Sequence, residues 1–168
     1  MLSNRLKNVV SQVNTGNLIA DIGTDHGYVP IYLIKNSIAK KAIAADISKG
    51  SCDKAKTNIS LYGLNDKIDV RCGNGLEIIK DSEIIDTIII SGMGGLLTID
   101  VLKSNEKAVK NANQLILQPQ RDIEKVRAYL HSINYKIINE EMLMESGKYY
   151  TIINAVKGSD EEYSEIEY

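Results

Sequence analysis

A short glycine turn between residues 21 and 27 carries two carboxylates and is the first part of the chain whose residue types suggest chemistry. It has the sequence Asp21-Ile22-Gly23-Thr24-Asp25-His26-Gly27 and follows a short apolar run. Gly23 and Gly27 permit a tight turn and a close approach of a ligand to the backbone. A dinucleotide-binding fingerprint would have glycine in place of Asp25 and would hold a pyrophosphate. Asp21 and Asp25 would repel a pyrophosphate and attract a sulfonium or an ammonium group, although a tight turn with solvated acids is the alternative interpretation.

Asp46 ends the second apolar run, 25 positions after Asp21. An acid at this position bridges two ribose hydroxyls of an adenosine-containing cofactor, in dehydrogenases and methyltransferases alike. Its alternative role is a favourable charge at the N-terminus of the following helix. Because Asp46 follows the acidic turn, we interpret both together as a site for a nucleoside that also carries positive charge. S-adenosylmethionine (SAM) has this chemistry, whereas a nicotinamide dinucleotide brings a pyrophosphate.

Three further turns, rich in glycine or amides, follow later apolar runs: Gly73-Asn74-Gly75, Ser91-Gly92-Met93-Gly94 and Gln118-Pro119-Gln120. Asn74 offers an acceptor oxygen for the amino group of an adenine, yet Gly-Asn-Gly is equally good turn chemistry. The glycines of the second turn would let a planar base approach the backbone closely. Met93 either packs against the base or the cofactor, or fills space in the core. The third turn has two amides and a rigid proline.

The apolar periodicity of the chain predicts the elements that position these turns. The predicted strands cover 18–22, 42–47, 68–72, 84–91 and 114–117, and the predicted helices cover 28–36, 48–62, 75–80, 96–111 and 121–132. An amphipathic helix precedes them, with an apolar face of Leu2, Leu6, Val9, Val10 and Val13. A hairpin of 135–145 and 148–157 around Ser146-Gly147 follows them. The fourth strand is expected to be buried on both faces by Ile84, Ile85, Ile88, Ile89 and Ile90.

Five strand–helix alternations with buried strands predict an α/β fold with a doubly wound, Rossmann-like sheet. The sheet is mostly parallel, and the C-terminal hairpin adds antiparallel strands at one edge. This is the layout of class I methyltransferases, which differ from dehydrogenases in the terminal strand pair. Because the carboxyl ends of parallel strands meet at one edge, the turns described above converge there. We predict one domain over 1–157 and an acidic, disordered tail over 158–168.

The composition restricts the partners and the compartment. The net charge is −2, but five carboxylates lie in the last nine residues, and the rest of the chain has 20 basic against 17 acidic groups. This balance is compatible with a polyanionic partner. The chain has no Phe and no Trp, so any stacking on bases falls to its nine Tyr residues or another flat group. Two cysteines and two histidines predict neither a disulfide framework nor a metal site, and no apolar run approaches the ~20 residues of a membrane span. We expect a cytoplasmic monomer that binds no metal.

The chain resembles the bacterial tRNA (adenine-22)-N1-methyltransferase family of class I SAM-dependent enzymes in three strings and in their spacing. The strings are Ala20-Asp21-Ile22-Gly23-Thr24-Asp25-His26-Gly27-Tyr28, Ser91-Gly92-Met93-Gly94-Gly95 and Leu117-Gln118-Pro119-Gln120. The resemblance implies SAM as the cofactor, S-adenosylhomocysteine as its product, tRNA as the partner and adenine N1 as the methylated atom. The chain departs from the family at Asn74, where Asp is usual. It also has an acidic tail after residue 157, where the family continues into a helical extension that helps to hold tRNA.

This resemblance gives each turn a role. Asp25 is the candidate catalytic residue, which accepts a hydrogen bond from the N6 amino group of the adenine, or else it only orients the cofactor. The residues expected to bind the cofactor are Asp21, Gly23, Thr24, His26, Gly27, Asp46, Ile47, Gly73, Asn74, Gly75, Ser91 and Gly92. The residues expected to bind the substrate are Arg5, Tyr28, Met93, Gly94, Gln118 and Pro119.

Some charged and aromatic side chains near the same edge have two interpretations. Four cations either contact RNA phosphates or are solvated charges. These are Arg5, Lys7, Lys49 and Arg121. In the predicted hairpin, strand alternation buries at most one of Tyr149 and Tyr150, and core packing is the expected use of the buried one.

Three other functions stay open on the sequence alone. A methyltransferase for another RNA, a protein or a small molecule would share every cofactor residue. A SAM-binding nucleic-acid module would keep the cofactor site without turnover. A dinucleotide-dependent dehydrogenase would need a pyrophosphate beside the acidic turn.

Overall fold

The computed structural model describes residues 2–160, 163–164 and 167–168, which form alternating strands and helices. The strands are β1 (Gly16–Ile22), β2 (Ala39–Asp46), β3 (Ile68–Cys72), β4 (Thr87–Met93), β5 (Gln114–Pro119), β6 (Tyr135–Glu145) and β7 (Lys148–Lys157). The helices are α1 (Asn4–Ser11), α2 (Tyr28–Lys35), α3 (Lys49–Leu61), α4 (Gly95–Lys103), α5 (Glu106–Asn111) and α6 (Ile123–Ser132), with a 3-10 helix at Gly75–Ile78. Within these described ranges, no helix has the length and the apolar character needed to cross a membrane.

The strands form one seven-stranded sheet in the order β3-β2-β1-β4-β5-β7-β6. The first five in this order are parallel, and β7 is antiparallel to both of its neighbours. The strand order reverses between β1 and β4. From β1 the chain continues outward to β2 and β3, whereas from β4 it continues outward in the opposite direction. Ligands bind beside such a reversal, at the carboxyl ends of the strands. The predicted α/β fold class and its antiparallel closing hairpin are confirmed.

The side chains of the central strands alternate between two apolar cores, one on each face of the sheet. Ile88 and Ile90 of β4 belong to the core that contains residues of α4, α5 and α6. Ile89 belongs to the core that contains residues of α1, α2 and α3. Because neighbours in a strand point to opposite faces, a run of isoleucines suits a strand that is covered on both sides. The two cores fix the strand ends from which the candidate site is built.

β4 begins at Thr87, later than predicted, and the expectation that Ile84 is buried in this strand is wrong. Ile84 is 67% exposed, whereas Ile85 is buried. The carboxylate of Asp86 accepts two hydrogen bonds from the backbone at the start of β1. The backbone N–H of Asp86 also donates to the carbonyl oxygen of Leu18 at 2.8 Å, so contact with β1 begins at Asp86 and Ile84 precedes it.

The helix predicted at 96–111 is two helices, because polar side chains in its middle bind other partners. Asn105 caps α5 by accepting a hydrogen bond at 3.0 Å from the backbone of its first turn. Ser104 accepts one at 3.0 Å from the backbone N–H of Leu76. Asparagine and serine side chains compete in this way with the helical backbone. The helix predicted at 75–80 is the shorter 3-10 helix that Ser104 contacts.

The closing hairpin turns at the predicted residues. Ser146 and Gly147 have φ values of 52° and 76°, which are the left-handed values that a two-residue type I′ turn requires. Ile153 is the first residue of β7 that pairs with β5. The tip of the hairpin therefore projects beyond the paired part of β5, toward the carboxyl edge of the parallel strands.

The described residues of the tail lie against α6. The hydroxyl of Tyr168 lies 2.8 Å from Nδ1 of His131. The ring of Tyr163 meets the same histidine edge to face, with 4.6 Å between the ring centroids. The acidic stretch also contains Glu161, Glu162, Glu165 and Ile166, which lie outside the described residues. The boundary at residue 157 and the disorder of 158–168 stay predictions.

Gly95, the first residue of α4, lies where the loops after β4 and β5 meet. Its backbone N–H donates to the carbonyl oxygen of Arg121 at 2.9 Å. A Cβ atom at this position would lie 2.5 Å from that oxygen and 2.7 Å from the carbonyl oxygen of Asp122. Both contacts are with the backbone, so a side chain here would force the two loops apart.

We predict that Gly95→Ala lowers the free energy of unfolding by about 2 kcal/mol, because overpacking at a rigid contact costs on that order. Gly50→Ala in α3 is the matched control, since its Cβ would lie 3.7 Å from the Ser48 hydroxyl, an ordinary contact. That substitution should stabilise the protein by up to about 1 kcal/mol. Urea unfolding measures both, and equal stability of Gly95→Ala and wild type would contradict the prediction.

Candidate active site

A cavity of about 280 Å³ opens at the carboxyl ends of β1 and β4, beside the reversal of the strand order. Its lining residues are Arg5, Leu6, Asp21, Gly23, Thr24, Asp25, His26, Tyr28, Val29, Ser91, Gly92 and Gln120. Nine of these twelve are residues that the sequence predicted to act at the site. The sheet topology thus brings together an N-terminal helix, the acidic turn and the loops after β4 and β5.

Asp21 lies next to the last residue of β1, with its carboxyl group inside the protein. The residue is 3% exposed. Burial raises the pKa of its carboxyl group to about 7, and the nearby Asp46 carboxylate acts in the same direction. A charged carboxylate in such a place is unfavourable unless a cation compensates for it. A cationic ligand group in the cavity would lower this pKa and stabilise the negative charge.

Asp46, the last residue of β2, connects the acidic turn to α3. Its Oδ2 accepts a hydrogen bond from the backbone N–H of Asp25 at 3.1 Å, and its Oδ1 accepts one from the backbone N–H of Ser48 at 2.9 Å. Ser48 in turn caps α3. Asp46 therefore lies at the carboxyl edge of its strand, where an acid that binds ribose is expected.

The side chain of Asp25 contacts α3 and its own neighbour in the turn. Its Oδ1 accepts a hydrogen bond from the Ser51 hydroxyl at 3.3 Å, and its Oδ2 lies 3.3 Å from Nε2 of His26. The backbone of Asp25 is left-handed, with φ of 50°, a conformation that aspartate adopts more readily than most residues. The carboxylate is therefore oriented toward the same side of the cavity as Asp46.

The rings of His26 and Tyr28 stack at the rim of the cavity. Their centroids are 5.3 Å apart and their planes are 7° from parallel. The backbone carbonyl of His26 accepts a hydrogen bond from the side-chain amide of Asn58 at 2.9 Å, which holds the turn against α3. The stacked pair provides a flat wall for a planar ligand group.

Arg5 of α1 is part of the site and is not a solvated charge. Its Nη1 donates to Oγ of Ser91 at 3.0 Å and to Oε1 of Gln118 at 2.7 Å. The guanidinium also lies over the ring of Tyr150, 5.4 Å from the centroid. Tyr150 therefore supports Arg5 and does not pack in the core as expected, while Tyr149 is exposed. These contacts tie α1 to β4, β5 and β7 and fix a positive charge in the cavity lining.

Gln118 is buried in β5, and within the described part of the chain only one of the two polar atoms of its side-chain amide is hydrogen-bonded. The residue is 1% exposed, and its Oε1 accepts the hydrogen bond from Arg5. Its Nε2 is buried without a hydrogen-bond partner among the residues that the structure describes. A buried donor of this kind costs free energy, and such exceptions occur at functional sites.

Met93 fills the space between the loop after β4 and the acidic turn. Its Cε lies 2.5 Å from the position that a Cβ on Gly23 would take, and its side chain packs against the core beside α4. Contact of Met93 with the base or the cofactor stays a prediction. Gly94 is the N-cap of α4, and Pro119 is buried in β5. None of these three predicted substrate contacts lines the cavity.

The turn after β3 borders Asp46 and lies outside the cavity lining. The backbone N–H of Gly73 donates to the carbonyl oxygen of Asp46 at 3.0 Å. Asn74 is exposed, and its side-chain nitrogen donates to Glu77 at 3.0 Å, which occupies the nitrogen and not the carbonyl oxygen. Ile47 is also exposed. Binding of a cofactor by Ile47, Gly73, Asn74 and Gly75 stays a prediction.

Sequence reasoning missed three residues of the lining. Leu6 and Val29 have the same apolar periodicity as the core residues of their helices, so nothing in the sequence distinguishes them. Gln120 follows Pro119 at the same sheet edge, and the paired amides of this turn were its signal. Ser51, which donates to Asp25, had no signal because a serine in the first turn of a helix is common.

The other predicted cations and the two cysteines are not among the residues that line the cavity. Lys7, Lys49 and Arg121 are exposed and lie outside its lining. Cys52 and Cys72 are free. Over the ranges that the structure describes, His, Cys, Asp and Glu side chains form no group of three or more that could hold a metal ion.

Comparison with known sequences identifies similar proteins over nearly the whole chain. Residues 2–153 match a family model described as a methyltransferase domain. The tRNA (adenine(22)-N(1))-methyltransferase of Bacillus subtilis (strain 168) is 40% identical over 157 residues, which are 94% of this chain and 66% of that protein. The chain thus spans about two thirds of the length of this curated relative.

Solved structures have the same fold. The B. subtilis M1A22 tRNA methyltransferase TrmK is 40% identical, with a TM-score of 0.89 over 95% of this chain and 68% of that one. M. capricolum TrmK, solved in complex with the natural cofactor product S-adenosyl-homocysteine, is 35% identical, with a TM-score of 0.90 over 98% of this chain and 73% of that one.

The raised pKa of Asp21 predicts a pH-dependent stability. The folded protein holds this proton up to about pH 7, whereas an unfolded chain loses it near pH ~4. Tighter binding of this proton therefore stabilises the folded state fully below pH ~4, and this stabilisation is lost as the pH rises to about 7. Asp21→Asn, which cannot ionise, should raise the free energy of unfolding by on the order of 2 kcal/mol at pH ~8 and by less than half as much at pH ~5.

Guanidinium unfolding at the two pH values measures this difference. Asp66→Asn, which removes an exposed carboxylate, is the matched control and should show no such gain. An equal gain for Asp21→Asn at both pH values would show that the charge of Asp21 does not destabilise the fold.

Proposed function

This chain belongs to the methyltransferase family that includes the tRNA (adenine(22)-N(1))-methyltransferase of Bacillus subtilis, and we propose that it transfers the methyl group of SAM to N1 of an adenine in tRNA. The observation that carries the proposal is the buried carboxyl group of Asp21 at the cavity. We infer the substrate, adenine 22 of tRNA, from the relatives, because a SAM site alone is compatible with many methyl acceptors.

The acidic groups of the cavity fit SAM and oppose a dinucleotide. Asp21 is buried, so its ionised form gains from a positive partner, and SAM offers an ammonium and a sulfonium group. Asp25 and Asp46 add negative charge at the same edge, where a pyrophosphate would be repelled. When bound, SAM would supply a methyl group whose carbon a nucleophile attacks while the sulfonium sulfur leaves as the neutral thioether of S-adenosylhomocysteine.

We assign the parts of the cofactor to successive turns along the sheet edge. The turn after β1, with Asp21 and Gly23, takes the amino-acid end. Asp46 after β2 accepts hydrogen bonds from the ribose, and Asn74 after β3 offers its carbonyl oxygen to the adenine amino group. The left-handed backbone at Gly23 and Gly27, with φ of 81° and 74°, supports this assignment because the chain can approach a ligand closely there.

The base to be methylated would enter between α1 and the loop after β4. N1 of adenine is an unprotonated nucleophile near neutral pH, so no residue has to remove a proton to start the transfer. N1 lies on the pairing edge of the base, and the base must therefore leave its stack. Gly92, with φ of 81°, lets a flat ring lie against the backbone, while Ser91 and Gln120 provide polar groups beside it. Arg5, held by Ser91 and Gln118, orients the base or an adjacent phosphate.

We propose that Asp25 orients the cofactor and is not the catalytic group. Its carboxylate contacts Ser51 of α3 and His26, and its backbone N–H binds the carboxylate of Asp46. These partners are on the ribose side of the site. In the alternative, Asp25 accepts a hydrogen bond from the N6 amino group, and the base would then compete with Ser51 and His26 for the carboxylate.

Methyl transfer to tRNA transcripts tests the proposed function. The protein is incubated with SAM and an unmodified transcript that has adenine at position 22, and the methylated nucleoside is located by mass spectrometry. We expect 1-methyladenosine at that position and none in a transcript with guanine there. Calorimetry without detectable SAM binding would overturn the proposal. SAM binding without transfer to any tRNA would instead support a binding module without turnover.

The role of Asp25 is tested by Asp25→Asn. We predict that SAM binds about 5- to 10-fold more weakly and that kcat falls by less than about 3-fold, because a charge-assisted contact to the ribose side is lost while the acceptor side is intact. Asp66→Asn is again the matched control and should change neither value. A kcat that falls about 100-fold with unchanged SAM affinity would make Asp25 the catalytic residue.

A further inference from the structure

A second cleft, of about 360 Å³, lies outside the catalytic cavity against the outer face of α2. Its lining residues are Leu2, Tyr28, Ile31, Tyr32, Lys35, Asn36 and Tyr62. Three of the nine tyrosines of the chain are in this set. We call it the tyrosine cleft.

The tyrosine cleft adjoins the catalytic cavity, because Tyr28 lines both. Tyr28, Ile31, Tyr32 and Lys35 have the spacing i, i+3, i+4 and i+7, which places them on one face of α2. From Tyr28 to Lys35 the helix rises about 10 Å. The cleft therefore leads from the rim of the catalytic cavity along α2 to the end of α3.

The far end of the cleft combines accessible aromatic rings with a cation. Tyr32 is 38% exposed and Tyr62 is 50% exposed. Nζ of Lys35 lies 4.6 Å from the ring centroid of Tyr62. The lining contains no carboxylate, so its charge is complementary to a polyanion. Aromatic faces next to a basic side chain are the combination that binds single-stranded nucleic acid without reading its sequence.

We infer that the tyrosine cleft binds a nucleotide of the tRNA that neighbours the target adenine. The base of this nucleotide stacks on Tyr32 or Tyr62, and its phosphate contacts Lys35. The inference rests on the proposed function. When the target adenine leaves its stack to enter the catalytic cavity, the adjacent base loses a stacking partner, and the cleft that begins at Tyr28 supplies a replacement.

The experiment compares two double variants of the tyrosines in the full chain. Binding of a fluorescent tRNA transcript is measured by anisotropy in the presence of S-adenosylhomocysteine. Tyr32→Ala with Tyr62→Ala should weaken tRNA binding by about 10-fold, because each removes a stacking surface. Tyr32→Phe with Tyr62→Phe keeps both rings and should bind within about 2-fold of wild type. SAM affinity, measured by calorimetry, should be unchanged in both.

Two further variants separate the phosphate contact from general surface effects. Lys35→Gln should reduce the slope of log K against log salt concentration by about 1, as expected for the loss of one phosphate contact. Tyr149→Ala removes an exposed tyrosine at the hairpin tip, outside the lining of the tyrosine cleft, and should leave tRNA affinity unchanged.

The possible results separate a failure of the inferred role of the cleft from a failure of the proposed methyltransferase function. If the double Ala variant binds tRNA as tightly as wild type, the inference is overturned, and the proposed function stands as long as that variant still methylates tRNA. A double Phe variant as weak as the double Ala variant would overturn the stacking role. If wild type binds no tRNA, the proposed function falls first, and the inference falls with it.

Discussion

The buried carboxyl group of Asp21 is the constraint around which the site is organised. It lies near the carboxyl end of β1, at the reversal of the strand order, where the topology leaves a crevice. Burial disfavours its charge, and Asp46 on the neighbouring strand increases the cost. The fold tolerates this arrangement because the acidic turn is held by contacts of its own, among them the hydrogen bond from Asp25 to Asp46. A cationic ligand would relieve this cost, so the feature that destabilises the fold would also favour the binding of such a ligand.

The two walls of the cavity have opposite charge and come from different parts of the chain. The acidic wall is built from Asp21 of β1 and from Asp25 in the turn that follows, and Asp46 of β2 and Ser51 of α3 support that turn from outside the lining. The other wall is built around Arg5, which reaches from α1 to Ser91 and Gln118 and lies over Tyr150. The cavity therefore presents carboxylates on one side and a guanidinium on the other. The contacts of Arg5 also explain why an N-terminal helix that precedes the first strand is part of the site.

The sequence was sufficient for the fold and for most of the acidic wall, because both depend on local patterns. Alternating apolar runs define the strands, and Asp21, Gly23 and Asp46 lie at strand ends whose convergence is dictated by topology. The other wall was less predictable. Arg5 and Tyr150 are 145 positions apart, and no periodicity indicates that one supports the other. The apolar pattern also does not reveal where a side chain competes with the helical backbone for hydrogen bonds. Asn105 does so, and it divides a helix whose apolar pattern is continuous.

The position of β7 has a consequence for how the protein is made. The order β5-β7-β6 inserts β7 between two strands that precede it in the chain. While residues 148–157 are still inside the ribosome, a nascent chain presents β5, buried along its whole length in the finished fold, with an unpaired edge. Such edges recruit other chains. Pairing of β7 with β5 therefore removes an edge that could otherwise pair with a second chain, so the hairpin protects the sheet as well as completing it.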